Sequence, residues 1–127
     1  MSKQIHTYKD LIVWQKAMGL VTEIYKLTEK YPKSELYGLV SQTQRAAVSI
    51  PTNIAEGRFR GTKKDYLQFL RIAYSSGAEL ETLIEIAKQL PRTRILAFSE
   101  ADSLLLEVMK MLNAMIKKLN PNKLRSS

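Results

Sequence analysis

Residues 45–61 read RAAVSIPTNIAEGRFRG and set a proline within a helical pattern. Pro51 has no N–H to give to the carbonyl of Ala47, and its ring presses on that carbonyl. In a helix interior the two effects cost roughly 3 kcal/mol. The apolar spacing nevertheless passes through it, as Thr43, Ala47, Ile50 and Ile54. Ile54 keeps the phase of Ile50, and Ser49 and Thr52 flank the ring with hydroxyls able to serve freed carbonyls. The spacing therefore predicts one helix, kinked at Pro51 and ending near Gly57, where glycine suits a left-handed cap.

Charge is scarce around this stretch. From Leu36 to Ala55 the single charged residue is Arg45. The core row reads Leu36, Leu39, Thr43, Ala46 or Ala47, Ile50 and Ile54, and the opposite face is small: Gly38, Ser41, Ser49, Thr52, Asn53. A helix facing water carries several charges over such a length, so this one is expected to be covered on both sides. Those five residues together with Arg45 are the candidate surface for self-association.

Outward from there, the chain divides into helices over about 8–31, 35–57, 63–90 and 99–119, with a basic tail at 120–127. TYKD from Thr7, TKKD from Thr62 and SEAD from Ser99 each place an acid three residues after a hydroxyl, the pattern of a capping box. KYPKS closes the first helix. That helix bears two apolar rows, Val13, Ala17, Leu20, Ile24, Leu27 and Leu11, Trp14, Met18, Val21, Tyr25. Together they cover roughly 200° of its surface, about twice a minimal core-facing stripe. The third helix offers Phe69, Ala73, Leu80, Leu83, Ala87 and Leu90 to the core. The fourth repeats apolar residues in heptads: Ala101, Leu105, Val108, Leu112, Met115, Leu119. No strand pattern, repeat or second domain is evident, so one all-α domain is predicted, an antiparallel up-down four-helix bundle.

Composition narrows the function. The 127 residues contain no cysteine, which removes disulfides, thiol catalysis and the usual structural zinc sites. The opening MSKQIHTYKD lacks the apolar core of a signal peptide, and no stretch nears the ~20 apolar residues of a membrane span. A cytoplasmic protein with no membrane partner is expected. Twenty Lys and Arg stand against twelve acids, a net charge of +8 that favours polyanionic partners.

An enzyme reading finds no nucleophile elbow, phosphate-cradling glycine loop or HExxH. His6 is read as a solvated residue of the N-terminal arm, and Glu81 and Glu85 as a solvated edge. Glu79 is a candidate ion-pair partner of Arg45, across helices or subunits. No metal-ligand cluster appears, so no catalytic residue, cofactor or metal is expected. Trp14, Tyr25, Tyr66, Phe69 and Tyr74 fall at helical spacing and read as core or interface.

The strongest functional pattern is GRFRGTKK, where Arg58, Arg60, Lys63 and Lys64 lie within seven residues. Amides opening the third helix would add donors for a phosphate. Phe59 could stack on an unpaired base, but a ring tucked under the loop is the expectation. Lys117, Lys118, Lys123 and Arg125 make a second basic run, which also complements a helix dipole. The two clusters are expected at opposite ends of the bundle.

LIVWQKA, IYKLT, QRAAVSIPTNIAEG and ELET resemble the four-helix-bundle protein family. It includes the proteins encoded in intervening sequences of bacterial large-subunit ribosomal RNA genes. The accessory variability proteins of diversity-generating retroelements are similar. The resemblance spans roughly residues 8–119, with Gln44 where a basic residue is expected beside Arg45 and Ser75 where glycine is expected before Ser76. It implies a small bundle assembling as a homopentamer, and, from the retroelement relatives, a basic surface that binds nucleic acid and a reverse transcriptase. Two functional readings follow. The first is a non-enzymatic self-assembling bundle that binds RNA or DNA. The second is a scaffold for a polymerase or reverse transcriptase with no nucleic-acid binding of its own.

Overall fold

The computed structural model describes residues 6–120. Among them are four α-helices: α1 (Ile12–Thr28), α2 (Ser41–Arg60), α3 (Lys63–Gln89) and α4 (Ser99–Leu119). The fold class is all-α, as the period of the apolar residues predicts. The C-terminal residues Lys123 and Arg125 lie outside the described residues.

The start of α1 shows how local chemistry sets a boundary. Lys9 N donates to Thr7 Oγ1 at 3.0 Å and Thr7 N donates to Asp10 Oδ2 at 3.2 Å, so the predicted box forms. It caps a separate 3-10 turn, Tyr8–Asp10, after which Leu11 is extended at ψ 127°. The α-helix therefore opens at Ile12 rather than near residue 8. Of its two apolar rows, Val13, Ala17, Leu20, Ile24 and Leu27 are buried. The second is graded: Leu11 is buried and Trp14 half-buried, while Met18 and Tyr25 are exposed.

α2 runs unbroken through Pro51, which is itself buried. Its N-terminal approach is a 3-10 turn, Lys33–Glu35, and a π-helical turn, Leu36–Val40. The wider turn, with bonds to the fifth rather than the fourth residue, breaks the α phase. Leu36, predicted in the core, is consequently 49% exposed, whereas Leu39, Thr43, Ala46, Ala47, Ile50 and Ile54 are buried. The helix does not stop near Gly57. It continues one turn to Arg60 and ends on Gly61, whose φ of 83° is the left-handed cap.

α3 begins as predicted: Asp65 N donates to Thr62 Oγ1 at 3.1 Å. α4 starts at Ser99, but its N-cap is Phe98 and no side chain caps it; Ser99 lies inside the helix, and the SEAD pattern forms no box. The heptad row is buried from Ala101 to Leu112 and half-buried at Met115 and Leu119.

Contacts between helices follow a reversing order. Ser49 meets Ser76 through a 2.7 Å hydroxyl pair, and Gly57, further along α2, meets Tyr66 and Phe69, earlier in α3. Lys88 near the end of α3 bonds Asp102 at the start of α4 (2.7 Å), while Gly77 lies against Met109. Thus α3 runs back along α2, and α4 back along α3. α1 packs on α2 and α4, and Lys16 reaches Glu107 at 3.3 Å. Leu20, Ile24, Ile50, Leu80, Ile84 and Leu112 form the centre of the core.

Candidate nucleic-acid interface

The basic corner is built where α2 ends and α3 begins. Because the helix extends to Arg60, Arg58, Phe59 and Arg60 stand on its last turn rather than in a loop, and Lys63 and Lys64 open α3. All four cations are exposed. Arg60 is fixed: it donates to Glu56 Oε2 at 3.0 Å, and its guanidinium lies 5.0 Å from the centre of the Phe69 ring. Arg58 lies near Tyr66, whose hydroxyl pKa is raised by burial and pulled back by that guanidinium. Among the described residues, no carboxylate pairs with Arg58, Lys63 or Lys64.

Phe59 is not tucked beneath the corner. It is 84% exposed, since the added helical turn carries it past the last core position, Gly57, and out toward water.

Of the second basic run, the described residues Lys117 and Lys118 lie at the same end, not the opposite one. Chain direction reverses twice between α2 and α4, so the two helices finish together. From Gly77 back to Lys64 is roughly 20 Å of α3, and from Met109 on to Lys118 is roughly 13 Å of α4, at about 1.5 Å per residue. Lys117 and Lys118, both exposed, therefore stand within about two turns of the level of Lys64. Sequence reasoning also passed over Arg71, which shares with Lys64 a shallow groove on α3 of about 540 Å³. The signal was there: a spacing of seven residues keeps two side chains on one helix face.

On α2, five of the six candidate self-association residues line one shallow groove of about 480 Å³: Ser41, Arg45, Ser49, Thr52 and Asn53. Gly38 sits apart, in the π-helical turn. Two of the five also serve the protomer. Ser49 shares the hydroxyl pair with Ser76, and the Asn53 amide donates to Ser49 O at 2.8 Å and Ser49 Oγ at 2.9 Å. Exposed Tyr25 and Val48 border the same groove. Gln44, in place of the expected base, donates to Thr28 Oγ1 at 3.0 Å and ties α2 to the end of α1. Arg45 and Glu79 form no ion pair within the protomer; they line different grooves.

At the other end, Lys88 is held by Asp102 and by Glu85 (2.9 Å), and those bonds raise its pKa, Asp102 foremost. This is a strut between α3 and α4. His6 is exposed, with its backbone N–H bound to Asp10 Oδ2 at 2.9 Å. Among the described residues no group of three or more His, Cys, Asp or Glu could hold a metal ion. Among the described residues, no helix is long and apolar enough to cross a membrane.

No curated protein matches the sequence. The family model described as 23S rRNA-intervening sequence protein matches residues 9–114, which take in α1, α2 and α3 whole and most of α4. With the greater part of its length matched, the chain belongs to the 23S rRNA-intervening sequence protein family.

Proposed function

We propose that this chain is a non-enzymatic, self-assembling helical bundle whose basic end binds RNA or DNA. One observation carries the reading: Arg58, Lys63 and Lys64, exposed and without carboxylate partners among the described residues, share an end of the molecule with Lys117 and Lys118. Free cations grouped on rigid helix ends suit phosphates, because the ligand displaces no internal ion pair. The family, an rRNA intervening-sequence protein and not a known enzyme family, supports an RNA-related role. Self-assembly is supported by the groove on α2, flanked by exposed Tyr25 and Val48, and by Met18 on α1. Closed symmetry buries such surfaces without forming filaments, and a ring of five is the proposed number. Several subunits would repeat the basic end around one rim.

The test pairs mass with salt dependence. Light scattering at micromolar protein is expected to give a multiple of the single-chain 14.5 kDa. Binding to a 20-nucleotide RNA, read by fluorescence anisotropy, should weaken steeply with salt. Neutralising Arg58, Arg60, Lys63 and Lys64 together should flatten the log–log slope by roughly 0.7 to 0.9 per lost phosphate contact. A single-chain mass would remove assembly. No binding at ~50 mM salt by an intact assembly would remove the nucleic-acid role and leave the scaffold reading.

A further inference from the structure

We infer that the ligand of the basic end is unpaired nucleic acid, and that Phe59 is the platform on which one of its bases stacks. The inference rests on the nucleic-acid reading above and names the form of nucleic acid bound. Among the described residues, three large hydrophobic side chains are more than four-fifths exposed: Tyr37 (93%), Phe59 (84%) and Ile95 (82%). Of these, only Phe59 joins an aromatic face to a close run of cations. It has Arg58 and Arg60 on either side in sequence and Lys63 and Lys64 just beyond the cap.

The ring has no counterpart in the fold. It belongs neither to the buried core nor to the partly buried residues packed against it. An apolar ring left in water gains nothing from burial, so the core does not explain its choice. It stands on the last turn of a continuous helix that ends at Gly61, so the backbone carrying the ring is set before a base arrives. The cations differ in a way that suits a strand. Arg60 is engaged with Glu56 and Phe69, leaving Arg58, Lys63 and Lys64 to take the phosphates on either side of the stacked base. In a duplex the base faces are already occupied by their neighbours, so only the cations would engage.

Single-stranded and duplex RNA of one 20-nucleotide sequence, bound to the full chain at ~100 mM salt, separate these terms. Phe59→Leu keeps an apolar side chain but loses the aromatic face, and is expected to weaken single-strand binding about 5- to 150-fold. Its salt slope should not change, since no charge is lost, and duplex binding should move less than about twofold. Phe59→Tyr should restore single-strand affinity. The exposed position leaves the melting temperature and the mass unchanged. Equal single-strand affinity for Phe59→Leu and the parent, with the fourfold neutralised variant still weakened, overturns the stacking role and leaves nucleic-acid binding standing. A loss of assembly mass in Phe59→Leu would place the ring between copies of the chain and overturn it as well. No binding of either RNA by the parent, at ~50 mM salt as well, overturns both readings.

Discussion

α2 and α4 are almost equal in length, 20 and 21 residues, and are held in the bundle by different means. α4 buries Leu105, Val108 and Leu112 and packs Leu104, Met109 and Met111 around them; its outward positions carry charge, as at Glu100, Glu107 and Lys110. α2 buries small residues, Ala46, Ala47, Pro51 and Gly57, around two isoleucines, Ile50 and Ile54. Two of its hydroxyls and an amide turn back on their own backbone: Thr43 to Leu39 O and Thr52 to Val48 O, both at 2.7 Å, and Asn53 to Ser49 O. α4 is thus stabilised by the volume it buries, and α2 by how near its backbone comes to α3. One should fail on truncation, the other on enlargement.

The largest effect is expected in α4. Leu112 is fully buried, and Leu112→Ala should lower stability by about 2–5 kcal/mol, read by thermal or urea unfolding. A change within 0.5 kcal/mol, roughly that of a surface site, would mean that α4 does not depend on buried volume.

Gly57 tests α2 in the opposite sense. A Cβ there would lie 2.7 Å from Phe69 Cβ, 3.3 Å from Tyr66 Cδ1 and 3.4 Å from Tyr66 Cα, groups tied to the α3 backbone. Gly57→Ala should therefore lose about 1–3 kcal/mol of packing, against the ~1 kcal/mol helix preference for alanine, for a net loss of up to about 2 kcal/mol. Gly77→Ala is the control. Its Cβ would collide with the thioether of Met109, the flexible end of a half-buried side chain that can swing aside. Its net change should stay within about 1 kcal/mol of zero. Equal losses at both glycines would break the contrast between backbone approach and side-chain packing.

Pro51→Ala should have the smallest effect. It restores an N–H toward the carbonyl of Ala47 and removes the ring's pressure on it, but empties part of a buried site and loosens the unfolded chain. The helix is already continuous there, so the fold should persist with an equal or higher melting temperature. Unfolding of the variant would show that the ring's packing outweighs the bond it denies.

Much of the fold was legible because burial leaves a period in the sequence. The first row of α1, from Val13 to Leu27, and the heptad row of α4 from Ala101 to Leu112 lie where a 3.6-residue repeat places them. The misreadings share a cause. Thr7 forms its box yet caps a short turn, Ser99 forms none, and Leu36 leaves the core because of a π-helical turn. Each depends on where neighbouring segments hold the backbone, which residue order within one helix does not express. The candidate site was legible in composition, as four cations within seven residues, and illegible in arrangement. A helix ending near Gly57, as the sequence predicts, leaves Arg58 and Phe59 outside it. In the structure Gly57 stays within the helix, close against α3, and Gly61 takes the positive φ that ends it.

The sequence by itself determined the helical class, the core rows and the positive charge, since periodicity and net charge are properties of residue order alone. It also determined that a helix crosses Pro51, because the apolar phase continues through the proline. Only the tertiary structure decided that α2 reaches Arg60, that Phe59 faces water and that Lys117 and Lys118 share an end with the first basic run. Those depend on the packing of α3 against α2 and on two reversals of chain direction, which join residues far apart in the chain.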